Sequence, residues 1–151
     1  MLQLPVDFSE NMRRLLGEEE YQALAEALQG EPSVSIRVNP WKWKGDGLSA
    51  SAEPVPWASG AVYLSERPAF TFDPLFHAGC YYVQEASSMF VQHVLRQYVP
   101  CACRMLDLCA APGGKSTLAR AALPEGSLLV SNEIIRTRAQ VLAENMVKWG
   151  H

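Results

Sequence analysis

The sequence predicts an α/β protein in which an N-terminal α+β subdomain precedes the first βαβα units of a Rossmann-like sheet. Two helix-like segments end on glycines, at Gly17 and Gly30. A segment with strand-like alternation follows at 33–39. From residue 104 onward the pattern becomes strand, helix, strand, helix, which is typical of a parallel sheet.

The N-terminal part is predicted to cover 1–80. Residues 7–29 carry leucines at helical spacing, and Asp7 followed by Glu10 fits a capping box. The alternation in "SVSIRVN" predicts a strand with one buried face. Next come a loop at 45–60, a short strand "AVYL" and an irregular aromatic connector, "RPAFTFDPLFHAG".

The C-terminal part is predicted to cover 81–151 and to begin the Rossmann-like sheet, which stays incomplete in this length of chain. A helix at 85–99 leads into it and stops before Pro100. The elements that follow are a strand in "RMLDLCA", a helix in "GGKSTLARAAL", a strand in "GSLLVSNE" and a helix in "IIRTRAQVLAENMVKWG".

Composition argues against several classes of protein. The 151 residues are 48% hydrophobic and 19% charged, which is typical of a folded domain. No apolar run approaches the ~18 residues of a membrane helix and no secretion signal is visible, so we expect a cytoplasmic protein without membrane contact. Cys101 and Cys103 are spaced too tightly for a usual zinc site, and we expect no metal. The net charge of −3 argues against coating nucleic acid by bulk charge.

The segment Gly114-Lys115-Ser116 looks like the end of a phosphate-binding P-loop. That loop requires a glycine five residues before Gly114, and Cys109 occupies the position. Pro112 also removes one N–H group from any phosphate cradle. The sequence therefore disfavours a nucleoside-triphosphate site, and a dinucleotide fingerprint is excluded because its glycines are missing.

A different nucleoside ligand fits better. Gly113 and Gly114 follow the first strand of the α/β part, and Glu133 lies 20 residues after Gly113, the spacing at which an acidic residue binds ribose hydroxyls. S-adenosylmethionine has a ribose but no phosphate, and its sulfonium favours nearby carboxylates such as Asp107. A carboxylate in an apolar strand needs hydrogen-bond partners, so we also expect Asp107 to hold the loop in shape.

The string "DLCAAPGGKS" resembles the cofactor loop of the Nop/Sun-type RNA cytosine-C5 methyltransferases. Three further segments agree, in chain order: "IRVNP", "YYVQEASSMF" and "NEIIRTRAQVLAENMVKWG". The arrangement "DPLFHAGCYYVQEASSM" is most similar to bacterial members that modify ribosomal RNA. The resemblance covers nearly the whole chain.

This resemblance implies S-adenosyl-L-methionine as cofactor and RNA, in particular ribosomal RNA, as partner. Glu133 is expected to hold the ribose, with Arg138 as a further contact on the cofactor side, and Gln84 and Ser87 to lie nearby. The implied cofactor-binding residues are Cys109, Ala110, Ala111, Pro112, Gly113, Gly114, Lys115, Glu133 and Arg138.

The resemblance also implies a covalent reaction that these residues do not complete. In the family a cysteine thiolate adds to C6 of cytosine, C5 takes the sulfonium methyl group, and a base removes the C5 proton as the adduct eliminates. The family uses two cysteines, one as nucleophile and one for release, which lie in segments like "DAPCSG" and "STCS". Neither segment occurs here. We therefore expect an N-terminal part of an enzyme, with no catalytic residue of its own and no activity alone.

Two alternatives to this assignment stay open. One is a methyltransferase that acts on another RNA, such as transfer RNA. The other is a non-catalytic RNA-binding or ribosome-assembly module that keeps the fold. The basic and aromatic run 41–44, "WKWK", is either a site of RNA contact or a surface turn. In methyltransferase folds of this type the first strand has a neighbour on each side. The second predicted strand supplies one of them and the other is missing here, so the apolar edge at 104–109 is expected to favour self-association.

Overall fold

The structure is a computed structural model that describes residues 3–45 and 52–150. The chain forms two compact units, one ending at Pro32 and one beginning at Ser33. The boundary expected near residue 80 stays a prediction. No helix in the described ranges is long and apolar enough to cross a membrane.

The first unit consists of helices α1 (Val6–Leu16) and α2 (Glu18–Ala27). Gly17 separates them with a left-handed φ of 84°, a conformation that favours glycine, and its N–H donates to the carbonyl of Arg13. The predicted helical segment is confirmed. The capping box is wrong, because α1 begins directly after Pro5 and has no side-chain cap, which places Asp7 inside the first turn.

The second unit opens with an antiparallel sheet of four strands, in the order β2-β3-β1-β4. The strands are β1 (Val34–Val38), β2 (Glu53–Pro54), β3 (Ala61–Leu64) and β4 (Tyr81–Val83). β1 is central and pairs with β3 on one side and β4 on the other. The sequence predicted β1 and β3 but missed β4. It also missed the two-residue β2, which lies in the predicted loop at 45–60, and residues 46–51 of that loop lie outside the described residues.

β1 is buried on both faces, which corrects the expectation of a single buried face. Ile36 faces a hydrophobic cluster with Val62, Phe70 and Tyr81. The opposite face carries Ser35 and Arg37, which are only 3% and 1% exposed. Polar side chains can occupy such a face when hydrogen bonds satisfy them, so alternation in sequence did not reveal this second buried face.

The aromatic connector between β3 and β4 contains local helical structure. A short 3₁₀ turn at Phe70–Phe72 is followed by α3 (Pro74–His77). The Asp73 carboxylate caps α3 by accepting from the N–H of Leu75, and its second oxygen accepts from the hydroxyl of Tyr81 at 2.6 Å. These bonds fix the connector to the sheet.

The remaining elements follow the predicted βαβα order. They are α4 (Phe90–Tyr98), preceded by a 3₁₀ turn at Ser87–Met89, then β5 (Arg104–Asp107), α5 (Gly114–Ala122), β6 (Leu128–Ser131) and α6 (Arg136–Trp149). β5 and β6 pair in parallel, with Asp107 opposite Ser131. The predicted fold class, mixed α/β with an incomplete Rossmann-like sheet, is confirmed.

One face of the β5–β6 sheet is open to water. Leu106 and Val130 are partners on this face, and they are 57% and 49% exposed. Within the described residues β5 pairs with β6 alone. Self-association through the free edge of β5 stays a prediction.

The basic and aromatic run after β1 makes internal contacts. The Lys42 ammonium donates to the carbonyls of Ala78 and Lys148, at 2.9 and 2.6 Å, and so binds the C-terminal ends of α3 and α6. Trp43 packs against the hydrophobic cluster beneath the sheet. RNA contact by this run stays a prediction.

We expect the stability of this protein to fall above pH 10 partly through Tyr81. Burial, the hydrogen bond to Asp73 and the charge of Asp73 all raise the pKa of Tyr81 above its unfolded value of about 10. The unfolded chain therefore releases this proton first, which lowers the free energy of unfolding by up to about 1.4 kcal/mol per pH unit above pH 10. Urea titrations of wild type and Tyr81→Phe at pH 7, 10 and 11 measure the effect.

The variant should be less stable than wild type at pH 7, by about 1 kcal/mol, because it lacks the hydrogen bond. The difference should shrink between pH 10 and 11. Tyr98→Phe is the matched control, since Tyr98 is 72% exposed. A difference between wild type and Tyr81→Phe that stays constant from pH 7 to 11 would contradict the assignment.

Candidate functional site

The candidate site begins where β5 ends. The Asp107 carboxylate accepts from the hydroxyl of Ser116 at 2.7 Å and from the N–H of Cys109 at 3.3 Å. Ser131, on the neighbouring strand, donates its hydroxyl to Ser116. The expectation that Asp107 holds the loop in shape is confirmed, because it joins strand, loop and helix.

The loop 108–113 closes on its own backbone and on the segment after β6. The N–H of Ala110 donates to the carbonyl of Asn132, and the N–H of Gly113 donates to the carbonyl of Ala110. Asn132 also donates its side-chain amide to the carbonyl of Leu108. Gly113 has a left-handed φ of 109°, which a residue with a Cβ adopts only under strain.

Helix α5 begins at Gly114, against the four-stranded sheet. A Cβ at Gly114 would lie 3.3 Å from a ring carbon of Tyr82 and 3.5 Å from the amide nitrogen of Gln84. The distance to Tyr82 is shorter than most Cβ contacts in proteins, whereas the distance to Gln84 is an ordinary van der Waals contact. Glycine here therefore permits β4 to approach the start of α5.

Helix α6 holds the other side of the loop. Arg138 donates to the carbonyl of Ala111 at 2.9 Å, and Asn145 donates to the carbonyl of Pro112 at 2.7 Å. Leu142 packs with Ala110 and Ala111 in a small hydrophobic cluster. The loop is thus supported from β5, β6 and α6 at once.

A cavity of about 230 Å³ lies between this loop and β4. Six of the nine predicted cofactor residues line it: Cys109, Ala110, Ala111, Pro112, Gly114 and Lys115. The opposite wall is formed by residues of β4 and of the turn after it, Tyr82, Val83, Gln84, Glu85 and Ser88. Ser88, rather than the expected Ser87, lines the cavity.

The other predicted residues have different positions. Gly113 is buried beneath the loop against Leu142. Arg138 lines a second, neighbouring cavity of about 250 Å³ with Ala111 and Pro112. Glu133 lines neither of these two cavities. Its side chain is 4% exposed, and its two carboxylate oxygens lie 3.0 Å from the N–H of Ile135 and 3.5 Å from the Arg138 guanidinium.

Sequence reasoning missed the residues behind the cavity. Arg37 of β1 reaches Gln84, Gly114 and Thr117 across more than 40 residues of sequence. Burial lowers the pKa of the Arg37 guanidinium to about 9, so it stays charged at neutral pH. Burial also raises the pKa of Tyr82, an effect that the nearby charge of Arg37 opposes. The signal that could have indicated a buried role for Arg37 is the burial of the second face of β1. The alternating sequence of β1 does not reveal that burial.

Within the described residues, no three His, Cys, Asp or Glu side chains are grouped closely enough to hold a metal ion. The residues that line the cavity beside β4 offer one lysine, one thiol, one carboxylate and one aromatic side chain.

Comparison with known families identifies one that matches this chain. A family model described as the N-terminal domain of 16S rRNA methyltransferase RsmF matches residues 4–86. The chain belongs to this family. The matched range ends just after β4, so it includes Tyr82, Val83, Gln84 and Glu85 of the cavity wall but neither Ser88 nor the loop 108–113.

Curated relatives extend the similarity over the loop. Proteins named ribosomal RNA small subunit methyltransferase F from Erwinia tasmaniensis and Pectobacterium atrosepticum are 31% and 33% identical, over 97% of this chain. The one from Shewanella oneidensis is 35% identical over 77% of the chain. The chain spans about a third of the length of the first two, at 33%, and 26% of the third.

Solved structures support the fold. The structure of PH0851 superposes with a TM-score of 0.79 at 21% identity, covering 97% of this chain and 34% of that one. A methyltransferase homolog from Pyrococcus horikoshii gives 0.72 at 24% identity, covering 97% of this chain and 54% of that one. At these identities the likeness shows a shared fold.

We expect Ser116→Ala to destabilise the protein through the loop. Ser116 is fully buried between Asp107 and Ser131, and removing its hydroxyl leaves both of these groups without that partner. The free energy of unfolding should fall by about 1–3 kcal/mol. Urea denaturation followed by circular dichroism measures it, with the same substitution at the exposed Ser65 as control. Equal stability of the two variants would show that the Asp107 network contributes nothing.

Proposed function

We propose that this chain is part of an S-adenosylmethionine-dependent RNA cytosine-C5 methyltransferase that acts on ribosomal RNA in the cytoplasm. The observation that carries the proposal is the loop 108–113 at the carboxyl end of β5, facing the cavity beside β4. Ligands of open α/β sheets bind at this end of the strands. The names of the relatives supply the class of substrate.

The loop suits a nucleoside without phosphates better than a triphosphate. A phosphate cradle needs several inward-pointing N–H groups. Here the N–H groups of Cys109, Ala110 and Gly113 donate hydrogen bonds to acceptors within the protein. Pro112 has no backbone N–H group. These four loop positions therefore offer no free N–H donor to a phosphate, so the P-loop alternative has little support.

The proposed contacts with the cofactor differ along the site. The first turn of α5 and the exposed Lys115 suit the carboxylate of the methionine portion, because a helix N-terminus attracts negative charge. Asp107 is engaged with Ser116 and Cys109 and supports the loop instead. Glu133 is proposed for the ribose hydroxyls, which would have to replace its contact with Arg138.

The cavity is smaller than a complete cofactor pocket. Sites for small molecules usually measure about 300–1,000 Å³, against about 230 Å³ here. We propose that this chain supplies one wall of the pocket. This agrees with its span of 33% of the relatives' length.

A non-catalytic RNA-binding module is the second candidate. The observation that favours it is that, of the four cysteines, only Cys109 lines the cavity, and it lies in the loop proposed to bind the cofactor. This candidate predicts the fold and RNA contact without methyl transfer in any protein that contains the chain.

The cofactor proposal predicts weak, local binding of S-adenosylmethionine. In an NMR titration of the 151-residue chain, amide signals of 109–117 should shift, with a dissociation constant in the millimolar range because the pocket is partial. ATP at equal concentration should not shift them. Lys115→Ala should weaken the binding several-fold through loss of a charge-assisted contact.

Lys44→Ala is the matched control, since Lys44 is also an exposed lysine but lies outside the cavity. The cofactor proposal fails if S-adenosylmethionine shifts no amide of the loop at any soluble concentration. It also fails if ATP shifts the same amides more strongly.

We further predict that the 151-residue chain alone transfers no methyl group to RNA. The reason is that this sequence contains neither of the cysteine segments that the resemblance implies for addition to C6 of cytosine, a step without which C5 is a poor nucleophile. The assay incubates purified chain with 16S RNA and methyl-labelled S-adenosylmethionine, then digests the RNA and looks for labelled 5-methylcytidine. Labelled product above a no-protein control would overturn this prediction.

A further inference from the structure

Arg37 places a buried charge in the central strand β1. It is 1% exposed, and it points away from the hydrophobic cluster that its neighbour Ile36 joins. No carboxylate in residues 3–45 or 52–150 lies within ion-pair distance of it. An unpaired buried charge is expensive, so its surroundings must compensate.

The compensation comes from a ring and from oxygen atoms. The guanidinium lies over the indole of Trp149, 4.4 Å from the ring centroid, a favourable cation–π contact. Its Nε donates to the side-chain oxygen of Gln84 at 3.0 Å. One terminal nitrogen, Nη1, has no hydrogen-bond partner among the described residues.

The other terminal nitrogen reaches the start of α5. Nη2 donates to the hydroxyl of Thr117 at 2.8 Å and to the carbonyl of Gly114 at 3.3 Å. The Thr117 hydroxyl in turn donates to the carbonyl of Gly113 at 2.8 Å. Arg37 therefore joins a central strand to the residues at which the loop turns into the helix.

These contacts bear directly on the cavity. Gly114 and Gln84 line opposite walls, and Arg37 bonds both from behind without entering the cavity itself. A neutral side chain of similar length could fill the volume but could not hold the two walls at a fixed separation. The rigid fork of a guanidinium suits this task.

We propose that Arg37 is a positioning residue of the cofactor site. It holds the loop 108–113, the start of α5 and Gln84 at the spacing that the cofactor requires. The inference rests on the proposed function, because it assigns the positioned loop to S-adenosylmethionine. It adds a role for β1, which contributes no residue to the lining of the cavity.

Amide hydrogen exchange of the 151-residue chain tests the inference without any ligand. In Arg37→Met the N–H groups of Ala110, Gly113 and Thr117, which are hydrogen-bonded in the wild type, should exchange about tenfold faster or more. The amides that pair β1 with β3 should change much less. Ile36→Ala is the matched control, since it destabilises the same strand from its other face and should raise exchange without singling out the loop.

Two more variants separate positioning from general stability. Thr117→Val removes the acceptor while leaving Arg37 in place, and it should raise loop exchange in the same amides. The double variant should show less than the product of the two single effects, since both remove one interaction. Arg37→Lys keeps the charge but lacks the fork, so it should restore stability more than loop protection.

The binding arm uses the NMR titration with S-adenosylmethionine. Arg37→Met should weaken the apparent affinity about as far as it loosens the loop. The inference is overturned if Arg37→Met raises exchange uniformly, as Ile36→Ala does, or if the effects of Arg37→Met and Thr117→Val multiply. Should the wild-type loop bind no S-adenosylmethionine while the exchange result holds, the proposed cofactor fails and the positioning of the loop by Arg37 stands.

Discussion

The hydrogen bonds of the buried Arg37 guanidinium are the interactions on which the packing of the second unit depends. The guanidinium lies at the point where β1, β4, α5 and α6 meet, bonded to Gln84 and Thr117 and covered by Trp149. A residue that is charged and lacks an ion pair tolerates little displacement of its partners, because each lost hydrogen bond leaves a buried donor unsatisfied. Asn39, fully buried two residues later, adds bonds to the carbonyls of Gly79 and Trp149.

This constraint explains why a strand far from the loop in sequence belongs to the same site. β5 and β6 are short, and one face of their sheet is open, so the parallel pair alone gives the loop limited support. Asp107 and Ser116 fasten the loop from the strand side, while Arg138 and Asn145 fasten it from α6. The four-stranded sheet provides the third support through Arg37 and the close contact between Gly114 and Tyr82.

Much of the fold could be predicted because its local causes are strong. Gly17 ends α1, Gly150 ends α6, and a short apolar run followed by a glycine pair marks β5 and the start of α5. The short β4 was missed because three residues, "YYV", leave no periodicity to detect. The capping box at Asp7 was wrong because α1 begins at Val6 with Pro5 as its N-cap, which places Asp7 inside the first turn.

The sequence by itself determined the type of loop: the missing glycine at Cys109, Pro112 and the pair Gly113-Gly114 are local features that fix which backbone conformations are accessible. It also indicated the α/β class and the place of the loop after the first strand of its sheet. Tertiary structure alone decided which residues support that loop and which residues form the facing wall of the cavity. Arg37 and Thr117 are 80 residues apart, and Glu133 is turned towards Arg138 instead of the cavity beside β4. Such pairings depend on how faces of separate elements are brought together, and burial of a polar face leaves no periodic trace in the chain.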